Sequence, residues 1–194
     1  MLLSESQRTL LLRVARQSIE HGLKQHKPLP VVPAEYPPFD QPGASFVTLH
    51  RQGVLRGCIG SLEAHRPLLL DVAQNAYAAA FRDPRFEPLQ PQELDDLDID
   101  ISILSTPVAM SFDNQQELLD QIRPGVDGLI LEDGARRGTF LPSVWSSLPE
   151  KTDFLAQLKL KAGLPADYWS DKLKVWRYTT ECFGEQDNQP TSLT

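Results

Sequence analysis

The sequence predicts an α+β fold, a mostly antiparallel β-sheet flanked by helices, and three observations carry that prediction. Helical and strand-like patterns follow one another in the order helix, hairpin, helix, strand, helix, hairpin, helix, strand. Two of these segments are paired β-rich runs joined by short glycine-containing turns, which favours antiparallel neighbours. Strict βαβα alternation is absent, so a dinucleotide-binding fold is disfavoured.

The first helix is read over "SESQRTLLLRVARQSIEHGL". Ser4 caps it, with Gln7 three residues on as capping-box partner. Leu11, Leu12, Ala15, Ile19 and Leu23 form an apolar stripe at helical spacing, and Gly22 is expected to begin unwinding its end. Six prolines between Pro28 and Pro42 exclude helix there. That stretch reads as an extended surface connection, docked through Val31, Val32, Tyr36 and Phe39. "ASFVTLH" and "GVLRGCIG" read as two strands joined by the three-residue turn "RQG". "RPLLLDVAQNAYAAAFRD" is the second long helix, with Pro67 in its first turn and Pro84 stopping it. In "LDIDISILS" Ile99, Ile101 and Ile103 alternate with Asp98, Asp100 and Ser102, the signature of a half-buried strand. Asp113, with Gln116, is expected to cap a short helix through Ile122. "GLILEDGARRGTFLP" is a second hairpin turning near Asp133 and Gly134, and Pro142 opens a short helical turn. Phe140, Val144 and Trp145 are expected in the core. "FLAQLKLKAGL" is a helix ending at Gly163, "KLKVWRYTT" a last strand, and the chain from Gly184 on a loose polar tail.

The chain has 194 residues, 41% of them hydrophobic and 23% charged, which suits one globular domain with a substantial core. A net charge of −7 argues against nucleic acid as a partner, because phosphate binding draws on clustered Lys and Arg. No apolar run approaches a membrane span, and the N-terminus lacks a signal-peptide pattern. Cys58 and Cys182 lie far apart, with no CxxC and no HExxH, so no metal site or cofactor is expected. A reduced, cytoplasmic protein is the natural reading.

The stretch that invites a functional reading is "GVLRGCIGSL", residues 53–62. With a three-residue turn, His50 pairs with Val54, Thr48 with Arg56 and Phe46 with Cys58. Val47, Leu49, Leu55, Gly57 and Ile59 then share an apolar core face. Phe46, Thr48, His50, Val54, Arg56 and Cys58 share the other. Arg56 and Cys58 stand roughly 6.5–7 Å apart along the strand, and a guanidinium this near favours the thiolate. Cys58 is thus a candidate nucleophile, although a strand cysteine serves equally as a small buried hydrophobe. Arg56 is a candidate clamp for an anion, or a solvated cation. His50 falls roughly 13 Å from Cys58 on this register, too far to act as its base. Gly60 permits a turn or a close backbone approach. Asp83 and Arg85, in "FRDPRFEP", either finish the second helix or turn toward the hairpin and help to build a pocket. Asp100 is a partner for Arg56 if its strand neighbours residues 54–60.

In order, "GASFVTLHRQGVLRGCIGSL", "NAYAAAFRDPRFEPLQPQELDDLDIDISILS", "GLILEDGARRGTFLPSVW", "FLAQLKLKAGL" and "WRYTTECFGE" resemble the AMMECR family. Leu55, Arg56, Gly57, Cys58, Ile59 and Gly60 match its LRGCIG signature. Asp83, Arg85 and Phe86 match a second block, and Leu141 and Pro142 a third. After Pro142 the chain departs from the family pattern: Ser143, Val144 and Trp145 stand where Gln or Glu and then Val-Ala are usual. The resemblance implies one domain over residues 1–186 and a flexible tail over 187–194. The domain would have a larger and a smaller lobe and a cleft between them, at the LRGCIG strand. It also implies Memo-type and radical-SAM proteins as partners and an unidentified small molecule as substrate. Arg56, Arg85 and Asp83 are the substrate-binding candidates and Cys58 the catalytic one. Two other readings stay open, a non-catalytic protein- or ligand-binding module and a cysteine-dependent group-transfer enzyme.

Overall fold

The structure is a computed structural model that describes residues 3–188. Its helices are α1 (Glu5–Gln25), α2 (Leu68–Phe81), α3 (Gln115–Gln121) and α4 (Lys151–Lys161). Its strands are β1 (Pro42–Arg51), β2 (Val54–Gly60), β3 (Arg66–Pro67), β4 (Leu97–Leu104), β5 (Val108–Ala109), β6 (Gly128–Asp133), β7 (Arg136–Phe140), β8 (Lys174–Tyr178) and β9 (Thr180–Gly184). The chain divides into two units. Residues up to Leu104 and from Glu181 onward make the first, and Ser105–Thr180 the second. No helix among the described residues is long and apolar enough to cross a membrane.

The first unit contains a sheet in the order β2-β1-β4-β9, with β3 pairing β1. β1 runs antiparallel to β2, β3 and β4. The capping box at Ser4 and Gln7 forms as the sequence predicts and starts α1. α1 then buries Leu11, Ala15 and Ile19, and α2 buries Leu69, Val72, Ala73 and Ala76, against Val47, Leu49, Ile99 and Ile101 of the sheet. Each large apolar side chain taken out of water contributes roughly 1.5–3 kcal/mol. Gly22 does not unwind α1, which continues to Gln25. A Cβ at Gly22 would stand 2.5 Å from the Phe81 ring and 2.7 Å from that of Tyr77, so glycine lets the two helices touch. In the proline-rich connection only part of the expected docking occurs: Phe39 is buried, whereas Val32 and Tyr36 are exposed.

A buried carboxylate ties α2 to the sheet. Asp71 is fully buried and accepts from Ser45 N at 2.8 Å, Ser45 Oγ at 2.7 Å, Ser61 Oγ at 2.7 Å, Arg66 Nε at 2.7 Å and Asn75 Nδ2 at 2.9 Å. Its charge is therefore met from three directions, the condition under which a buried ion is tolerated.

The second unit has its own sheet, in the order β5-β8-β6-β7. The strand expected from "KLKVWRYTT" forms as β8, and a further strand that the sequence reading did not separate, β9, follows it. β8 pairs with β6 in this sheet, and β9 crosses to the first. Asn114, rather than Asp113, caps α3, because its side chain accepts from Glu117 N. The core here is aromatic. Trp145 stacks on Phe154 with centroids 3.7 Å apart, and Phe140 meets Phe154 edge-on at 5.2 Å. Trp145 Nε1 donates to Asp127 O at 2.7 Å, which satisfies its polar atom inside the core.

Residues 185–188 are better held than their composition suggests. Glu185 pairs with Arg16 at 2.6 Å and accepts from Ile99 N at 3.1 Å, and Gln186–Asn188 form a 3-10 turn. The flexible tail expected over 187–194 lies, from residue 189 on, outside the described residues.

Candidate functional site around Cys58

The β1–β2 hairpin turns through two residues, not three. Gln52 and Gly53 have φ of 52° and 76°, the left-handed pair that matches the twist of a tight hairpin. Arg51 therefore pairs with Val54 and His50 with Leu55. The ladder then slips: Leu49 pairs with Gly57, Thr48 with Cys58 and Val47 with Ile59. Arg56 is the extra residue of a β-bulge, and such bulges re-aim side chains.

The shorter turn and the slip together correct three expectations. Leu55 leaves the core side and stands 37% exposed, while Gly57 and Ile59 remain on it. Cys58, not Arg56, lies opposite Thr48, and the two side chains meet at 3.2 Å between Sγ and Oγ1. Arg56 is taken up by another partner. It points with Arg51 to Glu93, in the 3-10 segment Pro91–Asp96. The proposed Asp100–Arg56 pair does not form either, because β4 neighbours β1. Asp100 instead bonds His50, with Oδ2 to Nδ1 at 2.9 Å.

The guanidinium of Arg56 holds Glu93 with both forks, Nε to Oε1 at 2.8 Å and Nη2 to Oε2 at 3.0 Å, and Nη2 also reaches Glu87 O at 3.0 Å. The Arg56 hydrogen bonds are the main reason the Glu93 carboxyl is held down to about 2, against its ordinary 4.5. The clamp that the sequence offers to an external anion is thus closed on an internal one. Glu93 was hidden from the sequence reading within an acidic stretch. Its one signal is the run Gln90-Pro91-Gln92-Glu93, a proline-led helix start whose third residue caps back onto Gln90 N at 2.8 Å.

Asp83 and Arg85 do turn toward the hairpin. Asp83 is buried and accepts from Cys58 N at 2.9 Å through Oδ2. Arg85 donates to Asp83 from Nη2 at 2.7 Å, from Nε at 3.0 Å and from its own backbone N at 3.1 Å, and to Cys58 O at 3.4 Å. The Arg85 bonds foremost, and the Cys58 amide after them, hold the Asp83 carboxyl far below its usual range. One Asp–Arg pair thereby occupies both main-chain groups of Cys58 on the outer edge of β2, where a further strand would otherwise bond. Phe86 completes the block, with the guanidinium groups of Arg85 and Arg56 5.4 Å and 5.9 Å from its ring centre.

Two glycines of the signature serve packing. A Cβ on Gly57 would stand 2.1 Å from the carbonyl oxygen of Ala79, so α2 lies directly against the β2 backbone. A Cβ on Gly60 would stand 2.2 Å from the Phe46 ring, which covers its cross-strand partner. Cys58 itself is a free, half-buried thiol whose sulfur meets the Thr48 hydroxyl and whose carbonyl meets the half-exposed Arg85. Among the described residues no group of three or more His, Cys, Asp or Glu is placed to hold a metal ion. Trp145, in the segment that departs from the family pattern, has its ring in the core of the second unit.

Known proteins resemble this chain over nearly its whole length. The chain is 39% identical over 186 residues to a protein of Methanothermobacter thermautotrophicus, covering 94% of this chain and 96% of that one. It is 37% identical over 193 residues to protein MJ0810 of Methanocaldococcus jannaschii, covering 95% and 92%. The crystal structure of the uncharacterised protein PH0010 from Pyrococcus horikoshii superposes with a TM-score of 0.80 at 35% identity, covering 91% of this chain and 90% of that one. The AMMECR1 family model matches residues 12–183, and with that span and those identities the chain belongs to the AMMECR1 family.

Proposed function

We propose that this protein is a small substrate-handling or catalytic subunit whose working surface is the Cys58 edge of β2. It would work in the cytoplasm beside Memo-type and radical-SAM proteins. The observation that carries the site assignment is the double anchoring of Cys58. Its amide and carbonyl are both held by the Asp83–Arg85 pair, while its sulfur meets Thr48. Arg85, half-exposed, is the group that meets an anionic substrate, and Asp83 positions it. Arg56, closed on Glu93, sets the path of the strand. The partner assignment rests on what the AMMECR resemblance implies.

The test compares the two cysteines of the full chain. Iodoacetamide labelling at pH 7, read by peptide mass spectrometry, is expected to modify half-buried Cys58 at least as fast as exposed Cys182. Arg85→Ala is expected to slow Cys58 about tenfold while leaving Cys182 unchanged. Labelling of Cys58 slower than Cys182 and indifferent to Arg85 removes the nucleophile. Co-purification of tagged protein with radical-SAM and Memo-type partners, where their genes adjoin, tests the assembly. A second reading is a binding module without chemistry, favoured by the 69% and 37% exposure of Val54 and Leu55 near the hairpin tip. It predicts that Cys58→Ser keeps the biological activity.

A further inference from the structure

The chain leaves α1 through "KPLPVVP", residues 27–33, and the spacing of that run is regular. Prolines stand at 28, 30 and 33, which fixes φ at about −65° in each. Lys27, Leu29 and Val32 each precede a proline and are steered to extended backbone. Residues 28–32 accordingly carry neither helix nor strand, and Val32 is extended, with φ −109° and ψ 94°. Such a run favours the polyproline II helix, whose three residues per turn set the side chains on three edges. Lys27, Pro30 and Pro33 share one edge, Leu29 and Val32 a second, and Pro28 and Val31 the third.

The fold uses the third edge. Val31 packs against the core of the first unit, and Pro28 is half-buried. Lys27, Pro30 and Val32 are exposed, Val32 by 55%, and Leu29 and Pro33 are half-exposed. The run is pinned at both ends. His26, in the left-handed region, ends α1 with its N–H on Gly22 O at 2.9 Å, and its carbonyl accepts from the Tyr77 hydroxyl at 2.8 Å. Leu29 N donates to Oγ of the buried Ser18 at 3.0 Å, and Ser18 in turn to Ala73 O at 2.7 Å. At the far end Glu35 N donates to Val32 O at 3.1 Å and Tyr36 N to Pro33 O at 2.9 Å. The two outward edges are thus held in place before anything binds, which lowers the entropic cost of binding. Their ends differ in charge: Lys24, His26 and Lys27 are exposed at one, Glu35 at the other.

We propose that residues 27–33 are a polyproline II ligand displayed by the first unit to a protein module with a groove of aromatic rings closed at one end by carboxylates. Leu29 with Pro30, and Val32 with Pro33, fill two successive slots between the rings, because each pair sets an apolar side chain beside a proline ring on the outward edges. Lys27, one turn before Pro30, meets the carboxylates and gives the run its direction. This surface goes beyond the role given to Cys58 and does not depend on it.

Titration of the nitrogen-15-labelled full chain with an SH3 domain that selects a basic residue at the N-terminal end of its ligands tests the proposal. The amide signals of Lys27, Leu29, Val31, Val32, Ala34 and Glu35 are expected to shift saturably, and those of β6 to stay. Val32→Ala is expected to weaken binding about tenfold, the worth of the two carbons it takes out of the slot. Pro30→Ala should weaken it comparably. Lys27→Glu should weaken it about tenfold at low salt and less at high salt, because the lost contact is electrostatic. All three positions are exposed, and unchanged β6 signals report that each variant is folded. No saturable shift at about 1 mM domain, shifts centred elsewhere on the chain, or undiminished binding in any of the three variants overturns the proposal.

Discussion

The core of the first unit is built mostly from Leu, Ile, Val and Ala, with Phe39 and Phe183 beside them and Ala73, Ala76, Ala79 and Ala80 along α2, whereas the second is centred on Trp145, Phe154 and Phe140. Small side chains let backbones meet, and at Gly57 the β2 main chain lies against the Ala79 carbonyl. Aromatic rings hold backbones apart and fill the gap with area. The first unit therefore fixes the path of one strand closely, and it also spends its buried charges there, at Asp71, Asp83 and Glu93. The strand from Leu55 to Gly60 is thus a closely packed element: Gly57 and Gly60 seat it, and the Asp83–Arg85 pair closes its edge.

The contrast can be broken or sharpened by substitution. Trp145→Ala removes a buried ring stacked on Phe154 and is expected to cost about 4 kcal/mol in urea unfolding. Iodoacetamide labelling of Cys58 under native conditions should stay unchanged, and a large change would show that the two cores are not independent. Gly57→Ala is expected to cost about 3 kcal/mol, because the added methyl meets backbone rather than a side chain that can swing away. Unlike Trp145→Ala, it should alter Cys58 labelling, since the strand itself must move.

The Arg56–Glu93 pair gives a pH-dependent test. Glu93 is held near 2 in the folded chain against an ordinary 4.5, so it binds fewer protons folded than unfolded in that interval. Its contribution, on the order of 2 kcal/mol, is complete above about pH 4.5 and is lost as pH falls toward 2. Glu93→Gln should lower stability at neutral pH and flatten that part of the acid limb, as read by denaturant midpoints across pH. An acid limb as steep as the parent's would show that other carboxylates carry it. Val54→Thr, at the exposed tip, should change stability by less than about 0.5 kcal/mol. A larger loss would mean that the tip packs against something.

Much of the frame was legible in the sequence because it follows from local rules. Ser4 with Gln7 started α1, and Ile99 and Ile101 alternated with Asp98 and Asp100 to mark β4 and its core face. Asp83 and Arg85 were visible as residues that could turn toward the hairpin. What stayed hidden depends on register and on distant partners. Nothing local announces a two-residue turn followed by a bulge at Arg56, yet the turn sets Leu55 opposite His50 and so outward, and the bulge keeps Gly57 and Ile59 on the core face and sets Cys58 opposite Thr48, two positions from His50. Glu93 lies 37 residues from Arg56, in a run that composition alone marks as solvent-facing acid. The pairing of β9, directly after β8, with the other sheet likewise depends on which neighbours are already in place.

The bulge also separates the hairpin into two mechanically distinct parts. Beyond it, the pairing of Leu49, Thr48 and Val47 with Gly57, Cys58 and Ile59 is pinned by α2 on one side and by Asp83 on the other. Before it, only two pairs and the Gln52–Gly53 turn remain. Added or altered residues at that tip can be absorbed before they reach the signature. The tip is thus the place to insert an epitope or a spectroscopic label, and the place where length variation among relatives should be tolerated.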